Sequence, residues 1–150
     1  MLEVQNLSVN YRGTQALNDV SFCIPVGQLV GIIGPNGAGK STLVEAILNL
    51  VPVTQGIVRF KEMPLRRQLL KTAYVPQRSL VDWDYPVTVW NVVMMAQTVQ
   101  TGLFKGFSRQ TRRLAQASLE RVGMYELRHR SIGELSGGHQ QRVFLARALA

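Results

Sequence analysis

The sequence predicts an α/β fold in two lobes, a sheet-forming first half and a helical second half. Three patterns carry that expectation. Apolar and polar residues alternate at the start, with Leu2 and Val4 and then Leu7, Val9 and Tyr11, across one break of register. Such alternation marks a half-buried strand. A short apolar run at residues 28–33, containing Leu29-Val30-Gly31-Ile32-Ile33, leads into a glycine-rich loop. A run of this kind suits a strand buried on both faces of a parallel sheet. From Val87 onward apolar residues recur at helical spacing through most of the remaining chain.

In chain order, Arg12-Gly13-Thr14 reads as a turn, residues 16–24 as a second strand, and Pro25-Val26-Gly27 as another turn. After the glycine-rich loop, residues 41–50 place Leu43, Ala46, Ile47 and Leu50 on one helical face, and Pro52 stops the helix. Residues 56–60 and 72–75 are further strand candidates, separated by a basic, helix-like stretch around Arg66 and Arg67. The boundary between lobes is expected near residues 77–86. Residues 140–150 form a strong helical pattern that stops with no Gly or Asn cap, as in a fragment of a longer protein.

The 150 residues, 46% of them hydrophobic, suffice for one domain with a core. A net charge of +8 favours anionic partners but does not choose among nucleotide, nucleic acid and membrane. The densest basic stretch, residues 105–130, has the form of a solvated helical face. One cysteine, Cys23, permits no internal disulfide, and no CxxC or histidine cluster offers a zinc site. Neither a signal peptide nor an apolar run near the ~20 residues of a membrane span is visible. A cytoplasmic protein, or one held at a membrane by another, is the expectation.

Two motifs carry chemistry. Gly34-Pro35-Asn36-Gly37-Ala38-Gly39-Lys40-Ser41 fits G-x-x-x-x-G-K-[ST], between a candidate strand and an amphipathic helix. The glycines let backbone N–H groups turn inward around a polyphosphate, and the helix start adds its positive dipole end. Lys40 would meet the β- and γ-phosphates, and the Ser41 hydroxyl would ligate Mg²⁺. Thr42 completes the phosphate-binding set. Leu135-Ser136-Gly137-Gly138-His139-Gln140-Gln141-Arg142 precedes a helix carrying Val143, Phe144, Ala146 and Leu149. Ser136 is placed to cap that helix, and two glycines leave its first N–H groups open to a second anion.

Together these motifs resemble the Walker A and signature motifs of the ABC ATPases. His139 stands where that family more often has Gln. The resemblance covers the whole chain with the motifs in family order. It implies a P-loop NTPase core of ABC type with an N-terminal antiparallel β part at residues 1–85. A helical subdomain follows at 86–134, then the signature and its helix at 135–150, the chain stopping before the Walker B strand. On the same ground Tyr11 resembles the aromatic residue that stacks on adenine, a contact of ~1–3 kcal/mol by analogy with nucleic-acid binders. Gln77 resembles the Q-loop glutamine, a further Mg²⁺ contact. The catalytic glutamate and switch histidine of the family fall beyond residue 150, and neither His129 nor His139 takes their place. The resemblance implies ATP and Mg²⁺ as ligands and a homodimer in which Leu135, Ser136, Gly137, Gly138 and His139 act in trans. It also implies membrane permease subunits and a location on the cytoplasmic membrane face. The 150 residues alone are expected to bind nucleotide weakly without turning it over.

The segment from Arg78 to Val89 is similar to the one following the Q-loop in ATPases of manganese, zinc and iron importers. Manganese is the expected cargo, then zinc or iron, delivered by a metal-binding solute-binding protein. Asp82 and Asp84 are read as shaping a permease groove rather than holding the metal. Met94 and Met95 either line that groove or belong to ordinary helical core. Ala96-Gln97 departs from the Gly-Arg expected there. A nucleic-acid-acting relative is disfavoured because only residues 42–134 separate the motifs, without sustained heptads. A GTPase is disfavoured by the lack of Asn-Lys-x-Asp. A non-catalytic fragment, with an apolar edge bared beside the phosphate loop, is the remaining alternative.

Overall fold

The structure, a computed structural model, describes residues 1–11, 13–76, 85–98 and 106–150. The chain forms two compact units, Met1–Thr72 and Ala73–Ala150. In the first, β1 (Leu2–Tyr11), β2 (Thr14–Ile24), β3 (Gln55–Phe60) and β4 (Met63–Pro64) make a four-stranded antiparallel sheet in the order β2-β1-β3-β4. Helix α1 (Lys40–Ile47) packs on it, its buried Ala46 and half-buried Leu43 and Ile47 meeting Val4, Leu7, Val9 and Leu17.

The register break in β1 has a physical cause. Val4 and Leu7 are both buried although three positions apart, so one residue must be skipped. Asn6 takes a left-handed φ of 50°, donates its N–H to Ser21 Oγ at 2.8 Å and its side-chain amide to Asp19 Oδ1 at 2.7 Å. Pairing with both β2 and β3 shifts register around this point. A bulge of this kind returns Leu7 and Val9 to the core face. On β3, Gly56 at φ 109° passes so close that a Cβ there would lie 2.6 Å from Leu7 Cα.

Helix α1 closes earlier than the sequence pattern suggests. Asn49 adopts φ 57°, and the N–H groups of Asn49 and Leu50 donate to the carbonyls of Ala46 and Glu45 at 3.1 and 2.8 Å. This is a Schellman closure with Asn as its left-handed residue, so the helix ends well before Pro52.

Two strand expectations fail. Residues 28–33 and 72–75 form no strand, and among the described residues none pairs with them. Leu29 is 100% and Ile33 95% exposed, and Tyr74 and Val75 are also exposed. A buried-strand composition states what a segment can do; the strand itself exists only against a hydrogen-bonded neighbour. The sheet present is antiparallel throughout. The stretch around Arg66 and Arg67 is a single 3₁₀ turn, Leu65–Arg67, followed by another at Leu69–Lys71.

In the second unit α2 (Val89–Met94), α3 (Arg109–Arg121) and α4 (Gly137–Leu149) surround a core of Val89, Val93, Leu119, Met124 and Val143. Met94 is part of that core, whereas Met95 is 41% exposed. Each helix starts on a side-chain cap, from Thr88, Ser108 and Ser136 respectively. An isolated bridge pairs Thr88 with Ser131, and the Ile132 N–H donates to the Val87 carbonyl at 2.9 Å. That tie fixes the approach to α4.

Candidate functional site: two helix starts

Residues 34–39 carry the chain into α1. Gly39 is the N-cap, with a left-handed φ of 82°. A Cβ on it would lie 2.8 Å from the Ala16 carbonyl oxygen and 3.1 Å from Leu17 Cδ2. The loop is therefore pressed against β2 at a position only glycine can hold. Gly37, at φ 85°, faces open space on the side a Cβ would occupy.

The start of α1 differs from the other helix starts. Among the four described α-helices it alone has no side-chain cap; like the other three, it has no acidic residue in its first turn. The N–H groups of the first turn have no intrahelical partner, so those of Lys40, Ser41 and Thr42 stand as donors at the positive end of the helix dipole. The Lys40 ammonium folds back over the loop, donating to the carbonyls of Gly34 at 2.8 Å and Pro35 at 2.6 Å. Ser41 is exposed, with its hydroxyl on the same turn. Amide donors, a cation and a hydroxyl gathered without side-chain crowding form a donor set that fits a polyphosphate with its metal ion.

The second helix start lies in the other unit. Leu135 is buried, and Ser136 accepts from the His139 N–H at 3.4 Å. Ser136 satisfies the third amide of α4, and Gly137 and Gly138 present the first two without a Cβ contact at Gly138. Buried Gln140 donates to the Ile132 carbonyl at 3.1 Å and holds this start to the preceding turn.

The remaining predicted residues are distributed as follows. Tyr11 ends β1 in the same unit as residues 34–42, paired with Thr14 and 39% exposed. Gln77, Asp82 and Asp84 lie outside the described residues. Among the described residues no cluster of three or more His, Cys, Asp or Glu side chains could hold a metal ion, and no helix is long and apolar enough to cross a membrane. Sequence reasoning missed the Ala16 and Leu17 backing of Gly39, because an apolar pair in a strand gives no sign of which loop rests on it.

Residues 17–150 match the family model described as ABC transporter. The chain is 51% identical over 150 residues to the manganese transport system ATP-binding protein MntB of Halalkalibacterium halodurans, covering 100% of this chain and 60% of that protein. It is 47% identical over 148 residues to the zinc transport system ATP-binding protein TroB of Treponema pallidum, covering 99% of this chain and 56% of that one. Among solved structures it resembles cbiO1 from Clostridium perfringens, part of the ABC transporter complex cbiONQ. That match has TM-score 0.78 and 27% identity, with 99% of this chain and 60% of that chain covered. The chain thus spans 56–60% of the length of these relatives.

Proposed function

The chain belongs to the ABC transporter family, as one of its ATP-binding domains, and from that membership we propose that residues 34–42 bind the phosphates of ATP to drive divalent metal uptake through a permease. The observation that carries this reading is the uncapped start of α1, with the Lys40 ammonium folded over the carbonyls of Gly34 and Pro35. Lys40 would exchange those two acceptors for phosphate oxygens. Each hydrogen bond to such a charged group contributes about 1.5–3 kcal/mol. Mg²⁺, when bound, would supply charge that neutralises the phosphates, and Ser41 with Gln77 would hold it. The exposed Tyr11 ring would stack on adenine.

The complementary half of the site is assigned to a second copy. Leu135, Ser136, Gly137, Gly138 and His139 of that partner would close over the triphosphate, the two glycines offering their amides to the γ-phosphate. Closing and reopening the pair would then move the permease from the cytoplasmic face of the membrane. A solute-binding protein would supply the ion. Among the described residues none is assigned as base for the attacking water.

The manganese reading is supported by the 51% identity to MntB, and the 47% identity to TroB makes zinc the second reading, ahead of iron. Two measurements test the proposal. Unchanged ATP affinity in a Lys40→Ala variant of the complete protein would remove the phosphate site. ATP-dependent uptake of zinc but not manganese into vesicles carrying the permease would reassign the cargo.

A further inference from the structure

Asn36 and Gly37 stand side by side in the exposed loop ahead of α1. Of the six asparagines in the chain, at 6, 10, 18, 36, 49 and 91, Asn36 alone is followed by glycine. The others precede Leu7, Tyr11, Asp19, Leu50 and Val92, each of which carries a side chain beside the backbone nitrogen that would have to attack. Gly37 has no side chain, and nothing lies within 4 Å of where its Cβ would be. Its N–H has no acceptor among the described residues. An unshielded amide nitrogen beside a carboxamide, on a backbone free to bend, is the arrangement that intramolecular attack requires.

We propose that Asn36-Gly37 is a spontaneous modification site, where conversion of the Asn36 amide to an acid ages the loop and weakens nucleotide binding. This rests on the reading of residues 34–42 as the phosphate loop. In the step, the Gly37 nitrogen loses its proton to solvent and bonds to Asn36 Cγ. The Cγ–Nδ2 bond breaks, ammonia leaves, and a five-membered imide remains. Water then opens one of the two imide C–N bonds, giving aspartate or isoaspartate. The net change is amide plus water to carboxylate plus ammonium, with no change of oxidation state. Either product adds a negative charge to a loop assigned to bind a polyanion, and like charges at such range repel. Isoaspartate also lengthens the backbone by one carbon and displaces the amides beyond it. Bound ATP would engage the Gly37 N–H and restrain the loop, so nucleotide should slow the reaction.

The test uses the complete protein, incubated at mildly alkaline pH with and without ATP and Mg²⁺. Peptide mass spectrometry follows all six asparagines, and ATP titration compares fresh with aged material. Asn36→Asp serves as a homogeneous stand-in, its fold checked by circular dichroism. Asn36 should convert ahead of the other five, more slowly with ATP present, and aged protein and N36D should bind ATP at least about tenfold more weakly. Conversion no faster at Asn36 than at Asn49 or Asn91 would overturn the modification site. Selective conversion with ATP affinity unchanged would instead overturn the phosphate-loop assignment, so the two failures are distinguishable.

Discussion

Gly39 rests against the Ala16 carbonyl, so that a Cβ at Gly39 would lie 2.8 Å from that oxygen. This couples the loop ahead of α1 to β2. Gly39→Ala must hold a left-handed φ of 82°, which costs about 1–2 kcal/mol, and must also push the loop off β2. Denaturant unfolding should show at least that loss, and ATP binding should fall with it. Wild-type stability and binding in this variant would mean that the contact positions nothing.

Lys40→Ala should separate the two properties. Among the described residues its ammonium bonds only the carbonyls of Gly34 and Pro35, on an exposed loop. Stability should therefore stay within about 0.5 kcal/mol, as for surface substitutions generally. ATP affinity should drop roughly tenfold to a hundredfold, from one or two lost bonds of about 1.5–3 kcal/mol in part replaced by water. Isothermal titration of the complete protein checks this.

Ser136→Ala removes the cap of α4. The 3.4 Å reach to the His139 N–H is long, so the stability loss should sit near the lower end of the usual range, about 0.5–1 kcal/mol. If the start of α4 also meets a partner's nucleotide, ATP turnover by the complete protein should fall far more than that loss explains. Turnover that merely tracks the folded fraction would leave Ser136 a helix cap alone.

Leu7→Ala tests the core of the first unit. Leu7 is fully buried at the bulge, packed among Val4, Val9, Leu17 and Ala46. Truncation should cost about 2–5 kcal/mol, read from the urea midpoint of the complete protein. A loss below 1 kcal/mol would mean that the sheet and α1 are not held together here.

How much of this was legible in the sequence depends on how local each feature is. The glycine-rich loop, α1 and the Ser136 cap were all readable, because a glycine pattern, a helical stripe and a capping residue act within one or two turns of chain. The break in β1 was visible in the spacing of Val4 and Leu7, although the role of Asn6 in making it was not. Residues 28–33 and 72–75 misled because strand formation depends on a neighbour that the run itself does not name. The left-handed Asn49 ended α1 earlier than the apolar Leu50 suggested. The contact of Gly39 with Ala16 joins positions far apart in sequence, and it became visible only in three dimensions.

The central claim is that amides at two helix starts, one from each of two copies, hold a single triphosphate. The most direct measurement is a structure of the complete protein with ATP and Mg²⁺ bound. The expected result places the Lys40 and Ser41 amides of one protomer, and the Gly137 and Gly138 amides of the other, within hydrogen-bond distance of the same phosphates. Phosphates held by the loop alone, with Gly137 and Gly138 remote from every nucleotide, would contradict it.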